Sequence, residues 1–188
     1  MTPAVGPLAH RMDELAALGG AELRAPSQVS LRIDAALASR LPFPLPLEPN
    51  TFTTERSKDA LWLGPDEWLL IAPAGTARDV VAELEAALAG EHHSVVDVSA
   101  NRAAIELATD RARALLETGC GLDLHPRTWR RGRCAQTLFA RAQVLLQHRG
   151  DTTRIFVRPS FADYLVDRLL AGHPESVFSS RRKGKDRG

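Results

Sequence analysis

The side chains able to do chemistry are few and scattered. His92 and His93 are adjacent, so a strand or loop points them in different directions, and His10, His125, His148 and His173 lie far apart. No HxxxH or carboxylate–histidine spacing suggests a metal site. Of the two cysteines, Cys120 follows an expected helix C-terminus, where the dipole disfavours a thiolate. Cys134 lies beside Arg131 and Arg133, which favour one, but no histidine adjoins it. Both read as structural thiols. Without CxxC spacing they fit reduced cysteines of a cytoplasmic protein better than a disulfide framework. Neither GxGxxG nor GxxxxGK(S/T) occurs, so the chain offers no phosphate cradle of those kinds.

Two polar clusters stand out. In Val95-Val96-Asp97-Val98-Ser99-Ala100-Asn101-Arg102 a strand runs into a polar corner. A carboxylate there can bind a substrate amine or can cap the turn, and capping is the commoner use of such residues. The second cluster is Arg127, Arg130, Arg131 and Arg133 around Trp129. Arginine beside tryptophan can stack a nucleobase or anchor a protein interface. Charge favours the interface. The net charge is +1, but Arg181–Gly188 holds five Lys/Arg and one Asp, which leaves −3 for residues 1–180. A slightly acidic folded part does not suit nucleic acid or an anionic membrane. The basic tail alone would support only a salt-sensitive nucleic-acid contact.

The elements that must hold these residues read as α+β. With 188 residues the chain suffices for one domain with its own core. No apolar run approaches the ~20 residues of a membrane span, and Met1–Leu15 has no basic start followed by an apolar core. Leu8, Met12, Leu15 and Leu18 recur at helical spacing, stopped by Gly19-Gly20. Val29, Leu31 and Ile33 alternate as in a strand. Leu41–Pro49, with four prolines among apolar residues, predicts a stiff extended crossing rather than a central strand.

Asp59–Pro73 predicts a hairpin that turns at Gly64-Pro65-Asp66-Glu67. Ala77–Ala89 predicts an amphipathic helix, and Ser94–Val98 and Ala103–Ala108 predict strands. A helix capped by Thr109 or Asp110 follows, through Thr118. Beyond the irregular Gly121–Gly132, a meander is expected over Gln136–Phe139, Val144–Arg149 and Arg154–Val157. Ser160, with Asp163 completing a capping box, opens a last helix ended by Gly172. This mixture fits a split βαβ arrangement related to the ferredoxin-like class. We expect residues 1–175 to form a single domain, with 176–188 a basic disordered tail.

Several stretches resemble the gamma subunit of heterotetrameric sarcosine oxidase. They are Leu63-Gly64-Pro65-Asp66-Glu67-Trp68-Leu69-Leu70, Asp97–Arg102, Gly119–Pro126, Gly132 with Cys134–Val144, and Val157–Leu165, spread between Leu8 and Leu170. The runs CAQTLFARAQVLL and VRPSFADYL are long and specific. The resemblance implies a complex of alpha, beta, gamma and delta chains that oxidatively demethylates sarcosine to glycine. Oxygen becomes hydrogen peroxide, and the methyl carbon leaves as formaldehyde or passes to tetrahydrofolate. Related complexes act on dimethylglycine.

The resemblance also implies that FAD, FMN, NAD and the folate site belong to the larger chains. The gamma chain is then structural, with a fold similar to the folate-binding aminomethyltransferase (glycine-cleavage T-protein) domain. That pattern places paired aspartates at the start of the equivalent hairpin. This chain reads Lys58-Asp59-Ala60, so Asp59 stands alone and aminomethyl transfer by the chain itself is in doubt. The expectation is a subunit without catalytic, cofactor or metal residues of its own. Arg127, Trp129, Arg130, Arg131 and Arg133 would then face a partner chain. The alternative is a stand-alone folate-binding or aminomethyltransferase-like protein that uses Asp59 or Asp97.

Overall fold

The structure, a computed structural model, describes residues 6–172. His173 and the expected tail, residues 176–188, lie outside the described residues.

Strands alternate apolar and polar side chains because successive residues point to opposite faces. Ten of them form two five-stranded sheets. Sheet I has the order β1 (Gly20–Glu22), β7 (Ala103–Ala108), β10 (Thr152–Val157), β9 (Ala142–His148), β8 (Cys134–Phe139). Sheet II has the order β3 (Phe52–Glu55), β4 (Lys58–Gly64), β5 (Glu67–Ala72), β2 (Ser27–Ile33), β6 (His93–Asp97). All neighbouring pairs are antiparallel. In sheet II, β5 and β6 therefore run parallel on either side of β2. Helix α2 (Ala77–Ala87) joins them, which makes the split βαβ unit expected from the sequence.

Each sheet packs against a layer on both faces. Helix α2 lays Ala77, Val80 and Leu84 on the outer face of sheet II. The proline-rich crossing lies beside it, with Leu41, Phe43 and Leu45 turned inward. It forms no strand, and its Pro46 carbonyl accepts the indole N–H of buried Trp68 at 2.8 Å. Helices α1 (Met12–Ala17), α3 (Thr109–Leu116) and α4 (Ala162–Ala171) cover the outer face of sheet I. The inner faces meet in a third core of Leu61, Leu69, Ile71, Ala104, Cys134, Leu145 and Phe156. The layers are helix, sheet, sheet, helix.

Several expectations need correction. Two short strands, β1 and β3, were not legible in the sequence. Gly20 begins β1 because an added Cβ would lie 2.4 Å from Leu107 Cδ2, so only glycine fits against β7 there. Met12, placed with Leu8, Leu15 and Leu18 on one buried face, is 60% exposed. The first turn is a 3-10 helix over Ala9–Arg11, and its tighter winding rotates Met12 off that face. Neither α3 nor α4 has a side-chain N-cap hydrogen bond. Asp163 instead accepts from His10 at 2.8 Å and Arg11 at 3.3 Å, which ties α4 to the N-terminal segment.

The inter-sheet core sets a stability prediction. Leu61 has no exposure. Leu61→Ala should cost about 2–5 kcal/mol, read as a lowered urea midpoint at unchanged slope. A loss below about 1 kcal/mol would mean that this layer is not tightly packed.

Candidate functional site

Asp59 is the second residue of β4, after Lys58 and the Arg56-Ser57 turn, and its side chain points into the space between the sheets. It is only 4% exposed. A carboxylate so placed must be paired or it loses more hydration than burial returns. It is paired on both oxygens. Oδ1 accepts from the Thr54 hydroxyl at 2.7 Å, across the β3–β4 hairpin. Oδ2 accepts from Gln147 Nε2 at 3.0 Å, from Arg154 at 3.1 Å and from Arg149.

These last three donors belong to or adjoin β9 and β10 of sheet I. Arg154 also donates to Glu106 at 2.7 Å, so two carboxylates and two guanidiniums alternate. A cavity of about 230 Å³ borders the cluster, with Arg24 and Arg56 on its exposed rim. The arrangement is a rigid ion lock between sheets. With both oxygens engaged by four donors, Asp59 is poorly placed to take a proton or hold an amine.

The other residues singled out from the sequence do not join it. Asp97 lies at the end of β6 and accepts from the Ser99 N–H at 2.9 Å and the Ser99 hydroxyl at 2.5 Å. Those bonds hold its carboxyl below the usual range. It is a turn cap, as its residue type favoured. Cys134 is fully buried, with its Sγ 3.1 Å from the Thr51 carbonyl. Burial pushes its thiol up to about 12, and nearby Arg133 offsets this only slightly. Cys120 is half-buried and unbridged. His93 pairs with Glu85 at 2.9 Å, and His10 pairs with Asp163.

Trp129 requires a correction. Its indole is 7% exposed and belongs to the outer core of sheet I, 6.2 Å from the His148 ring. An aromatic ring that a core already covers cannot serve as a surface anchor. Arg127, Arg130 and Arg131 are exposed around it, and Arg133 is half-buried with an ion pair to Glu48 at 3.0 Å.

Gln147, Arg149 and Arg154 were not singled out from the sequence as partners of Asp59. The available signal was alternation: in Arg154-Ile155-Phe156 an arginine shares a strand face with a phenylalanine, so that arginine lies beside a core.

Comparison with known proteins places this architecture. The family model described as "Sarcosine oxidase, gamma subunit family" matches residues 26–172. Sarcosine oxidase subunit gamma of Arthrobacter sp is 38% identical over 141 residues, which are 72% of this chain and 68% of that protein. The subunit gamma of Corynebacterium sp. strain P-1 is 42% identical over 111 residues, 58% of this chain and 54% of that protein. Among solved structures, a chain of the heterotetrameric sarcosine oxidase from Corynebacterium sp. U-96 superposes with a TM-score of 0.80 at 32% identity. That match covers 89% of this chain and 93% of that one. Aminomethyltransferase T of the glycine cleavage system from Bartonella henselae gives 0.60 at 17% identity, covering 85% and 48%, a likeness of fold.

Two outcomes test this geometry. Asp59→Ala leaves Arg149 and Arg154 without their shared carboxylate and should cost about 3–5 kcal/mol of unfolding free energy. A change within 1 kcal/mol in a urea titration would remove the lock from the account. Native chain treated with maleimide at pH 8 should be labelled at Cys120 alone, with Cys134 reacting only after denaturation. Equal labelling of both thiols, read by peptide mass spectrometry, would contradict the buried position of Cys134.

Proposed function

The chain belongs to the sarcosine oxidase gamma subunit family, and from that premise we propose that it works as the gamma subunit of a heterotetrameric sarcosine oxidase. The observation that carries this reading is the match of one whole partner of such a complex, at a TM-score of 0.80 over 89% of the chain. In this reading the complex oxidatively demethylates sarcosine to glycine. Its products are hydrogen peroxide and either formaldehyde or methylene-tetrahydrofolate. FAD, FMN, NAD and tetrahydrofolate reside on the other subunits, and the partners are the alpha, beta and delta chains. The compartment is the cytoplasm, where the unbridged Cys120 and Cys134 stay reduced. No helix among the described residues is long and apolar enough to cross a membrane.

The chain's own contribution is structural. Its two sheets form a rigid body, and its surface does the work. Exposed Arg127, Arg130 and Arg131 are the residues we assign to contact with a partner subunit. Trp129 supports them from beneath by filling the core on which their loop rests.

A stand-alone folate-binding or aminomethyltransferase-like role has the fold likeness at a TM-score of 0.60 in its favour. The engagement of both Asp59 oxygens weighs against it.

Co-expression with candidate partner chains tests the proposal. The chain alone should be colourless, and with its partners it should elute in one yellow assembly of mixed composition, measured by light scattering and visible spectrum. Arg127→Glu/Arg130→Glu/Arg131→Glu should weaken assembly without unfolding the chain. A fully active complex that forms without this chain would overturn the subunit role.

A further inference from the structure

The inner face of sheet I is apolar across its middle and basic at both ends. Strand register shows this directly. Phe156 pairs with Ala104 and with Leu145, and Leu145 pairs with Gln136. Two residues along β10 from Phe156 in one direction is Arg154, and two in the other direction, one past the end of the strand in extended backbone, is Arg158. Side chains two apart on a strand share a face. At the first end, Asp59 and Glu106 neutralise Arg149 and Arg154. At the second end no equivalent carboxylate exists among the described residues.

Half-buried Arg102 and exposed Arg158 occupy that second end. Arg102 lies just before β7, and its guanidinium has no hydrogen bond or ion pair among the described residues. Burial, then the neighbouring charge of Arg158, pushes its pKa down; Glu67 opposes this only weakly, being committed to Arg32 at 2.7 Å. A partly desolvated cation beside a like charge is stabilised when an anion joins it.

Both arginines line a cavity of about 340 Å³. Its floor is Leu145 and Phe156, and Gln136 and Gln143 add amide groups. This volume lies at the lower end of small-molecule sites. A single aspartate or glutamate side chain would leave most of it unfilled. The cavity is also where three separated stretches of the sequence meet: Asp97–Arg102, Cys134–Val144 and Val157–Leu165.

We propose that Arg102 and Arg158 form a binding site for a small organic oxyanion, a carboxylate or phosphate head held by the two guanidiniums with an apolar body over Leu145 and Phe156. The guanidinium fork matches both kinds of head group. The site is at the opposite end of the sandwich from Asp59.

Fluorine NMR on the full chain tests it with para-fluorobenzoate as probe, and neutral para-fluorobenzyl alcohol as control, at constant ionic strength. The expected result is saturable binding of the anion and none of the alcohol. Arg102→Met should weaken the anion by about tenfold or more, while the thermal midpoint of the unliganded variant stays level or rises. Arg149→Met, which orphans part of the Asp59 lock, should instead lower the midpoint and leave anion affinity near that of the parent. Para-fluorophenyl phosphate in place of the benzoate ranks the two head groups. Binding that follows added chloride equally, or that survives Arg102→Met unchanged, would overturn the proposal. So would loss of the Arg102-dependent signal in the assembled complex, since a partner chain would then fill the site.

Discussion

Two β-sheets can stack only if their inner faces exclude water, and here one charge is caught in the seam. Asp59 projects from sheet II into donors supplied by sheet I. Its pairing with Gln147, Arg149 and Arg154 fixes how the sheets align, because hydrogen bonds to a charged acceptor tolerate little displacement. The apolar centre of the seam, from Leu61 to Phe156, provides cohesion without direction. The ionic end provides direction. A purely apolar seam of this size would hold as firmly but would specify the mutual position of the sheets less narrowly.

That constraint limits what Asp59 can do. A carboxylate used to join two layers is surrounded by donors and shielded from solvent, whereas a catalytic acid or base must reach a substrate proton. The same side chain cannot easily serve both roles. The other groups that looked reactive are similarly committed: Asp97 to its own turn, Cys134 to the seam, and Trp129 to the outer core. The fold is like that of an aminomethyltransferase, and the polar groups Asp59 and Asp97 are engaged in internal hydrogen bonds. What faces outward is a basic loop and a cavity at the opposite end of the sandwich.

The two ends of the seam make an instructive pair. Both place arginines on the inner face of sheet I at the limit of the apolar strip. One end is closed by a carboxylate that sheet II provides, and the other remains open. The open end has the larger cavity, about 340 Å³ against about 230 Å³. The larger cavity therefore lies beside the arginines that no carboxylate pairs among the described residues.

Local pattern in the sequence determined much of the architecture. The hairpin of β4 and β5, helix α2, the meander of β8 to β10 and the proline-rich crossing were all legible. Each rests on interactions between near neighbours: turn chemistry, 3.6-residue periodicity, or the missing N–H of proline. The family was legible too, in runs such as CAQTLFARAQVLL and VRPSFADYL. Tertiary structure alone decided the rest. It added β1 and β3, whose few residues gain their hydrogen bonds from distant strands. It withdrew Trp129 from the surface, because only the packing of sheet I shows what covers that ring. It also assigned Asp59 its partners, which lie some ninety residues further along the chain, at separations of 88, 90 and 95 residues. No local pattern encodes contacts at that separation, since they exist only once the two sheets have met.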